Sequence, residues 1–463
     1  MTRLSPRFAD TTFAPYWPQT VGNAADLPAL SGRVDCDLAI VGAGFTGLWS
    51  ALKARERHPE ARIVVLEGRR LANAASGRTG GFCAPSISHG VMNALDRWPD
   101  EADTLIRLGR QNLDEMAADI EAYGIDAEFE RTGKVNVART EWEAKGLDAM
   151  HATYRRLGLD STLLKGAALA RRFDSPRYPA GLYEDNYAYV NPAKLVHGLA
   201  RACLEGGVDI HENSKVTGLA KDGAGLRLTT AAGEVRARQV IMATNADMPL
   251  LRRLRGAIIP IYDYSIMTEP LSEAQLASIG WTGRYGVADS GNQFHYSRKT
   301  ADNRILWGGY DAIYHFGGKR DAARLDRNET YAQLEANFIE TFPSLSDVGF
   351  SHAWGGIIDT SARLTFFTGT AMGGRLAYAM GFTGQGVTAT RFAALSMLDQ
   401  LDGIHNERTD LRMTRSRPVP FPPEPLRSLA VRWAQRDLAR EDLTGRRSAM
   451  LRLFDRLGIG FGS

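Results

Sequence analysis

The chain has only three cysteines, Cys36, Cys83 and Cys203, in 463 residues. Their number is odd, they stand far apart and no CxxC pair occurs. That excludes a disulfide framework or a zinc site as the organising feature and fits a reducing cytoplasm. No stretch approaches the ~18 consecutive apolar residues of a membrane span. Residues 1–10 carry Arg3, Pro6, Arg7 and Asp10 with no apolar h-region, so the expectation is a soluble, unprocessed, cytoplasmic protein. Charge of one sign is also lacking: 56 Lys plus Arg against 53 Asp plus Glu leave +3, too little to point to nucleic acid. The expected partner is a small molecule.

Glycine is abundant instead. There are 47 glycines, above the ~7% usual in globular chains, which implies many close backbone approaches. At 463 residues the chain exceeds what one core supports, so two packed domains are expected.

The most informative segment runs from Cys36 to Glu67. Cys36–Val41 reads as a buried strand, Gly42-Ala-Gly44-Phe45-Thr46-Gly47 as a glycine turn opening a helix, and Ala61–Glu67 as a second strand. In such a unit Gly42 permits the tight turn, Gly44 admits a pyrophosphate and Gly47 lets helix and strand pack closely. The helix N-terminus then faces phosphate. Glu67, about twenty residues beyond Gly47, can accept both ribose hydroxyls and would repel a 2′-phosphate. Strand, turn, helix, second strand and terminal acid together predict dinucleotide binding.

After Glu67 comes Gly68-Arg69, then the small, polar loop Ala75-Ser76-Gly77-Arg78-Thr79-Gly80-Gly81, where a plain NAD domain would continue into helix. Such a loop suits a longer cofactor, with Ser76 and Arg78 near phosphate and Gly80-Gly81 admitting a flat ring. FAD is therefore favoured over NAD. A loop without a ligand remains the alternative from composition alone.

These motifs resemble the D-amino-acid-oxidase superfamily, flavoenzymes that include sarcosine, glycine and glutamylputrescine oxidases. The segments 180–192, 296–309, 341–343 and 381–388 are similar to its glutamylputrescine branch, and the resemblance covers about residues 30–435. It implies a mixed α/β fold: a Rossmann-like FAD-binding domain and a substrate domain built on an antiparallel sheet. It also implies FAD contacts at Lys215-Val216 near the adenine and at Ala243-Thr244-Asn245 near the phosphates. The expected FAD-binding domain is discontinuous, residues 1–95, 150–255 and 346–405. Residues 96–149 and 256–345 form the substrate domain and 406–463 a helical tail.

Local patterns fill in this outline. Leu105, Leu108, Leu113, Met116 and Ile120 predict a helix ending at Gly124. Asn191-Pro192 reads as an N-cap with proline at N1, opening a helix that closes on Gly206-Gly207. Residues 225–240 read as a hairpin around Ala232-Gly233. From His405 onward twelve arginines face seven acids, and the proline-rich run 418–425 precedes helical faces built from Leu429, Trp433, Leu438 and Leu443.

The chemistry implied is flavin-dependent amine oxidation: a hydride equivalent leaves the carbon beside nitrogen for flavin N5, and the imine is hydrolysed. The glycine turn Gly381-Phe-Thr-Gly384-Gln385-Gly386, followed by a helix through Val387 and Thr388, would stabilise charge at the flavin pyrimidine edge. The aromatic pocket residues put forward are Tyr264, Tyr296, Trp307 and Tyr310, with Tyr262, Phe294 and Trp354 behind them, since an aromatic cage suits an amine. Arg363 would pair with a substrate carboxylate or with a surface acid. Sarcosine oxidases attach flavin to a cysteine that Trp354–Thr360 lacks, so FAD is expected to be non-covalent. Tyr189-Val190-Asn191 and Phe82 also depart from the family pattern, at positions that bear on substrate. The leading expectation is an amine oxidase or dehydrogenase, with an N-acylated diamine as one substrate. The alternatives are an amino-acid or aminophosphonate enzyme on the same fold, a flavin monooxygenase, and a flavin-binding partner without activity. Neither the oxidant nor the oligomeric state is legible.

Overall fold

A computed structural model describes residues 2–22 and 26–460. The first sheet grows from the glycine-turn unit. Strand Gly32–Val41 pairs in parallel with Ile63–Leu66 on one side and with Gly233–Met242 on the other. Asp209–His211 extends the sheet beyond Ile63–Leu66, and Leu376–Met380 joins the carboxyl end of Gly233–Met242, again in parallel. The registers align Val41 with Leu66 and with Met242, and Met242 with Tyr378. All these strands therefore end on one edge, where ligands of open α/β sheets bind. Gly42, Glu67, Ala243 and Gly381 follow those ends directly. An antiparallel extension, Gly218–Asp222 and Gly225–Thr229 against the start of Gly233–Met242, contains the expected hairpin.

The second sheet has eight strands, in the order Phe350–Ser361, Ile258–Thr268, Ile305–Gly309, His295–Lys299, Gly286–Asp289, Lys134–Ala138, Ala180–Glu184 and Thr162–Lys165. Its one parallel pair is Gly286–Asp289 with Lys134–Ala138. Its core buries Tyr262, Tyr264, Trp281, Trp307, Phe338 and Phe342.

The domain boundaries differ from the expectation. Thr162–Lys165, Ala180–Glu184 and Phe350–Ser361, expected with the FAD domain, all belong to the second sheet. Helix Ala102–Ala122, expected with the substrate domain, buries Leu105, Leu113, Met116 and Ile120 in one core with Leu48 and Leu52 of helix Phe45–Arg57. Periodicity reveals that a face is buried but not which sheet receives it. Asn191 does cap helix Pro192–Glu205, its side chain accepting from the Lys194 amide at 3.2 Å.

The tail is helical over Leu426–Thr444 and Ala449–Arg456. Its packing face is only partly the expected one: Leu438 is half-buried, but Leu429, Trp433 and Leu443 are exposed, and Val431 and Ala434 are buried. The helix is pinned at both ends. Glu424 accepts from the Tyr314 hydroxyl at 2.6 Å and the Gly317 amide at 3.0 Å. Asp442 accepts from the Asn292 amide at 2.8 Å and the Gln293 amide at 2.7 Å. Polar anchoring at the ends, which no apolar period reports, overrides the largest side chains in choosing the face. Among the described residues no helix is long and apolar enough to cross a membrane.

Candidate functional site

One cavity of about 460 Å³ runs between the two sheets. On the first-sheet side it is lined by Gly44, Phe45, Thr46, Ala75, Ser76, Arg78, Thr79, Gly80, Ala243, Asn245, Gly384, Gln385, Gly386 and Val387. Four segments far apart in sequence thus meet at one edge because parallel strands deliver their carboxyl ends there.

The cradle is built by backbone approach. Gly42 has φ +103°, and a Cβ there would stand 2.5 Å from the Ala243 carbonyl oxygen. A Cβ at Gly47 would overlap the Gly42 carbonyl. The Ser76 hydroxyl accepts from the Phe45 amide at 3.1 Å, tying the turn to the Ala75–Gly77 loop. Glu67 accepts from the Ala43 amide at 2.8 Å and the Arg69 amide at 2.9 Å, and burial raises its pKa above the ordinary carboxylate value. Arg69 pairs with Asp247, and the Lys215 side chain packs beside Gly68 with Val216 buried behind it. Arg78 spans the domains, donating to the carbonyls of Gly355 at 2.8 Å and Asn73 at 3.0 Å. Arg298 holds the carbonyls of Gly80 at 3.1 Å and Val190 at 2.7 Å, which fixes the loop at Gly81.

A residue missed in the sequence, Asp359, joins two of these segments. It accepts from the Gly381 amide at 2.6 Å, and the Asn245 amide donates to its other oxygen at 2.9 Å once oriented to satisfy both of its partners. Burial pushes its carboxyl up to about 7. Thr388 is buried, its carbonyl accepting from Asn112, and the Thr244 hydroxyl has no protein partner.

These residues fit a bound FAD. Helices Phe45–Arg57 and Gly386–Asp402 both begin at the cavity, and neither is capped by its own N-cap residue, Ser76 taking only the Phe45 amide of the first. Uncapped helix amides need acceptors, and the oxygens of a pyrophosphate and of a flavin carbonyl edge are acceptors. The three cysteines stand outside the cavity lining.

On the second-sheet side, alternate residues of Ile258–Thr268 face the cavity: Ile259, Ile261, Asp263 and Ser265. Tyr262 and Tyr264 alternate to the other face and enter the core, the Tyr264 hydroxyl donating to the Arg324 carbonyl at 2.6 Å. Tyr264 is therefore not a pocket residue. Trp307 is not one either: it stacks on His295 at 4.3 Å and meets Phe338 and Phe342 edge-on. Arg363 points away from the cavity, donating to the carbonyls of Met413 at 2.6 Å and Phe366 at 3.1 Å and to the Ser416 hydroxyl at 2.7 Å. Its role is to tie the strand end to the tail.

Tyr296 and Tyr310 do line the cavity, with Phe294, Trp354 and Phe82. Tyr310 stacks on His295, so Trp307 supports it from behind through that imidazole. Burial lowers His295 to about 3, so the ring is neutral. Phe82, one of the departures from the family pattern, lies edge-on between Tyr189 and Tyr296.

The polar centre of this side is Asp263. The Tyr296 hydroxyl donates to it at 2.6 Å, and the Ser265 hydroxyl, 3.1 Å from Tyr296, supplies the next donor. Burial pushes Asp263 up to about 6, against the pull of Tyr296. Among the described residues no cation pairs with it. Nothing in its local sequence distinguishes it, because a single acid in an apolar strand reads like any edge charge.

A dinucleotide cradle at the carboxyl edge of one sheet, closed by the cavity face of a second, defines a two-domain flavin-dependent oxidoreductase. The family model described as "FAD dependent oxidoreductase" (DAO) matches residues 37–400. The chain belongs to the DAO family of FAD-dependent oxidoreductases. It is 30% identical over 394 residues to gamma-glutamylputrescine oxidoreductase of Escherichia coli, covering 84% of this chain and 88% of that one. It is 28% identical over 384 residues to the probable oxidoreductase OrdL of Haemophilus influenzae, covering 81% and 85%. Glycine oxidase from Geobacillus kaustophilus shares the fold with a TM-score of 0.69 at 19% identity, over 83% of this chain and 100% of that one.

Proposed function

We propose that this enzyme oxidises the carbon–nitrogen bond of an amine that binds as a cation against Asp263. The observation that carries this reading is a carboxylate sunk in the cavity wall with no protein cation beside it. A charge held in low dielectric without a partner is costly, and an ammonium ligand offsets that cost. The faces of Phe294, Tyr296 and Tyr310 add cation–π attraction.

Two of the cavity's three basic side chains, Lys134 and His89, offer no charge to an amino-acid or aminophosphonate substrate, and the third, Arg78, stands on the loop that would hold FAD. Arg78 donates Nε and Nη1 to two carbonyls that fix it across the domain boundary. Lys134 lies 3.3 Å from the Tyr187 hydroxyl and over its ring, with Glu184 at 3.9 Å. His89 is neutral, lowered to about 4 by burial. The Escherichia coli relative is named for gamma-glutamylputrescine; the amine end of such a molecule suits Asp263, but the one cavity cation left for its glutamyl carboxylate is Arg78, on the loop that would hold FAD.

When bound, FAD supplies the two-electron acceptor. The chain's residues do the rest. The cradle of Gly42–Gly47, Glu67 and Ala75–Gly81 would hold the dinucleotide, and the amides at Gly384–Val387 would face its pyrimidine edge. Asp263 would orient the amine nitrogen and accept the ammonium proton that must leave before hydride transfer, and Tyr296 would keep that carboxylate ionised near neutral pH until then. The aromatic walls would exclude water while the α-carbon is held for transfer. Anaerobic mixing of the holoenzyme with a panel of amines and amino acids tests the reading: bleaching by amines is expected, and bleaching by amino acids alone would refute it. Re-exposure to air then separates oxidase from dehydrogenase.

A further inference from the structure

The Leu426–Thr444 helix lies beyond residues 37–400 that carry the family match, yet it closes the cavity. Val431, Gln435 and Leu438, at helical spacing on one face, line the cavity together with Phe421. Val431 is in one apolar cluster with Ile259 and Ile261, and Phe421 packs against it. The cavity floor is a two-stranded ladder. Ser265 pairs with Trp354, Asp263 with Gly356, Ile261 with Ile358 and Ile259 with Thr360, and all eight residues line the cavity. The floor therefore changes character along its length, from the Tyr296–Asp263 polar centre to an isoleucine surface roofed by the C-terminal helix. At ~3.3 Å per residue, the four steps from Asp263 to Ile259 span about 13 Å.

The roof is prebuilt. Glu424 and Asp442 anchor its two ends, and the Gln435 side chain, the polar one of the three helix residues lining the cavity, donates to the Ala312 carbonyl. Val431, Leu438, Phe421, Ile259 and Ile261 offer no partner for a second charge, and the cavity's other acids are engaged, Asp311 by Arg327 and the Thr330 hydroxyl and Asp359 by the Gly381 and Asn245 amides.

We infer that the inward face of the C-terminal helix is the specificity wall of this enzyme, and that its substrate is a monoamine with an extended apolar body. This rests on the amine reading above and adds to it the class of amine. The amine nitrogen sits at Asp263 and the apolar body runs toward Ile259 under Val431 and Leu438. A diamine of equal length is discriminated against, because its second ammonium would be desolvated against isoleucine and valine.

The test is anaerobic flavin reduction in the holoenzyme by unbranched alkylamines from ethylamine to octylamine, and by 1,6-diaminohexane. Specificity (kcat/KM) is expected to rise about fourfold per buried methylene, and hexylamine is expected to exceed 1,6-diaminohexane by at least tenfold. Val431→Asn and Leu438→Asn are expected to flatten the dependence on chain length, and Val431→Leu to keep it, with thermal melting of each variant reporting whether it is folded. If amines reduce the flavin with no dependence on length, or if folded Val431→Asn and Leu438→Asn keep the full slope, the wall proposal is wrong and the amine reading stands. If no amine reduces the flavin, both fail.

Discussion

Replacing Asp263 by Asn removes the charge at the polar centre and keeps the shape. Tyr296 donates to this carboxylate at 2.6 Å, and an amide oxygen can still accept that bond, so the fold should tolerate the change. What is lost is the ion pair with the ligand. Removing one partner of a desolvated charge pair typically costs about 2–4 kcal/mol, a 30- to 1000-fold weakening. The clean assay is the dissociation constant of a permanent cation such as an alkyltrimethylammonium ion, read from the flavin absorbance, because this ligand neither titrates nor reacts. In the wild-type enzyme burial holds Asp263 up at about 6. It is ionised above that pH, so binding should be tight there and weaken about tenfold per unit as pH falls below it. Asp263→Asn should remove this acid limb, because the amide does not titrate. Tyr296→Phe removes a donor that favours the ionised form and should move the limb to higher pH. Folding linkage has the opposite sign. The free enzyme keeps a proton that the unfolded chain releases near 4, so stability without ligand falls as pH rises through about 6. An Asp263→Asn enzyme that binds the cation as tightly as wild type, or that keeps the acid limb, refutes the role given to Asp263.

Gly47→Ala places a Cβ into the Gly42 carbonyl, so the variant should purify with far less flavin per protein, measured from the absorbance ratio. Arg363→Ala strands two buried carbonyls and should lower stability by about 2–5 kcal/mol in thermal melts. Flavin reduction by the folded fraction should change less than twofold; a large loss of turnover would return Arg363 to the pocket. Acid precipitation should leave the yellow colour in the supernatant, since no cysteine lines the cavity, and a coloured pellet would mean covalent flavin.

The sequence by itself determined the elements whose logic is local. The Cys36–Glu67 unit is legible because strand, glycine turn, helix and acid lie within one short stretch, and the same holds for the Asn191 cap and for helix Ala102–Ala122 with its buried Leu105, Leu113 and Met116. Side-chain direction in the second sheet was not legible. Ile258–Thr268 is buried on both faces, so Tyr264 and Asp263 stand on adjacent residues of one apolar run, and only strand pairing decides that the acid faces the cavity and the tyrosine the core. Trp307 and Arg363 follow the same rule: large or charged side chains advertise a site, but tertiary neighbours had already claimed them. The tertiary structure alone also turned the C-terminal helix so that Val431, not Trp433, looks inward, because polar anchors at Glu424 and Asp442 fix its rotation from outside its own apolar pattern.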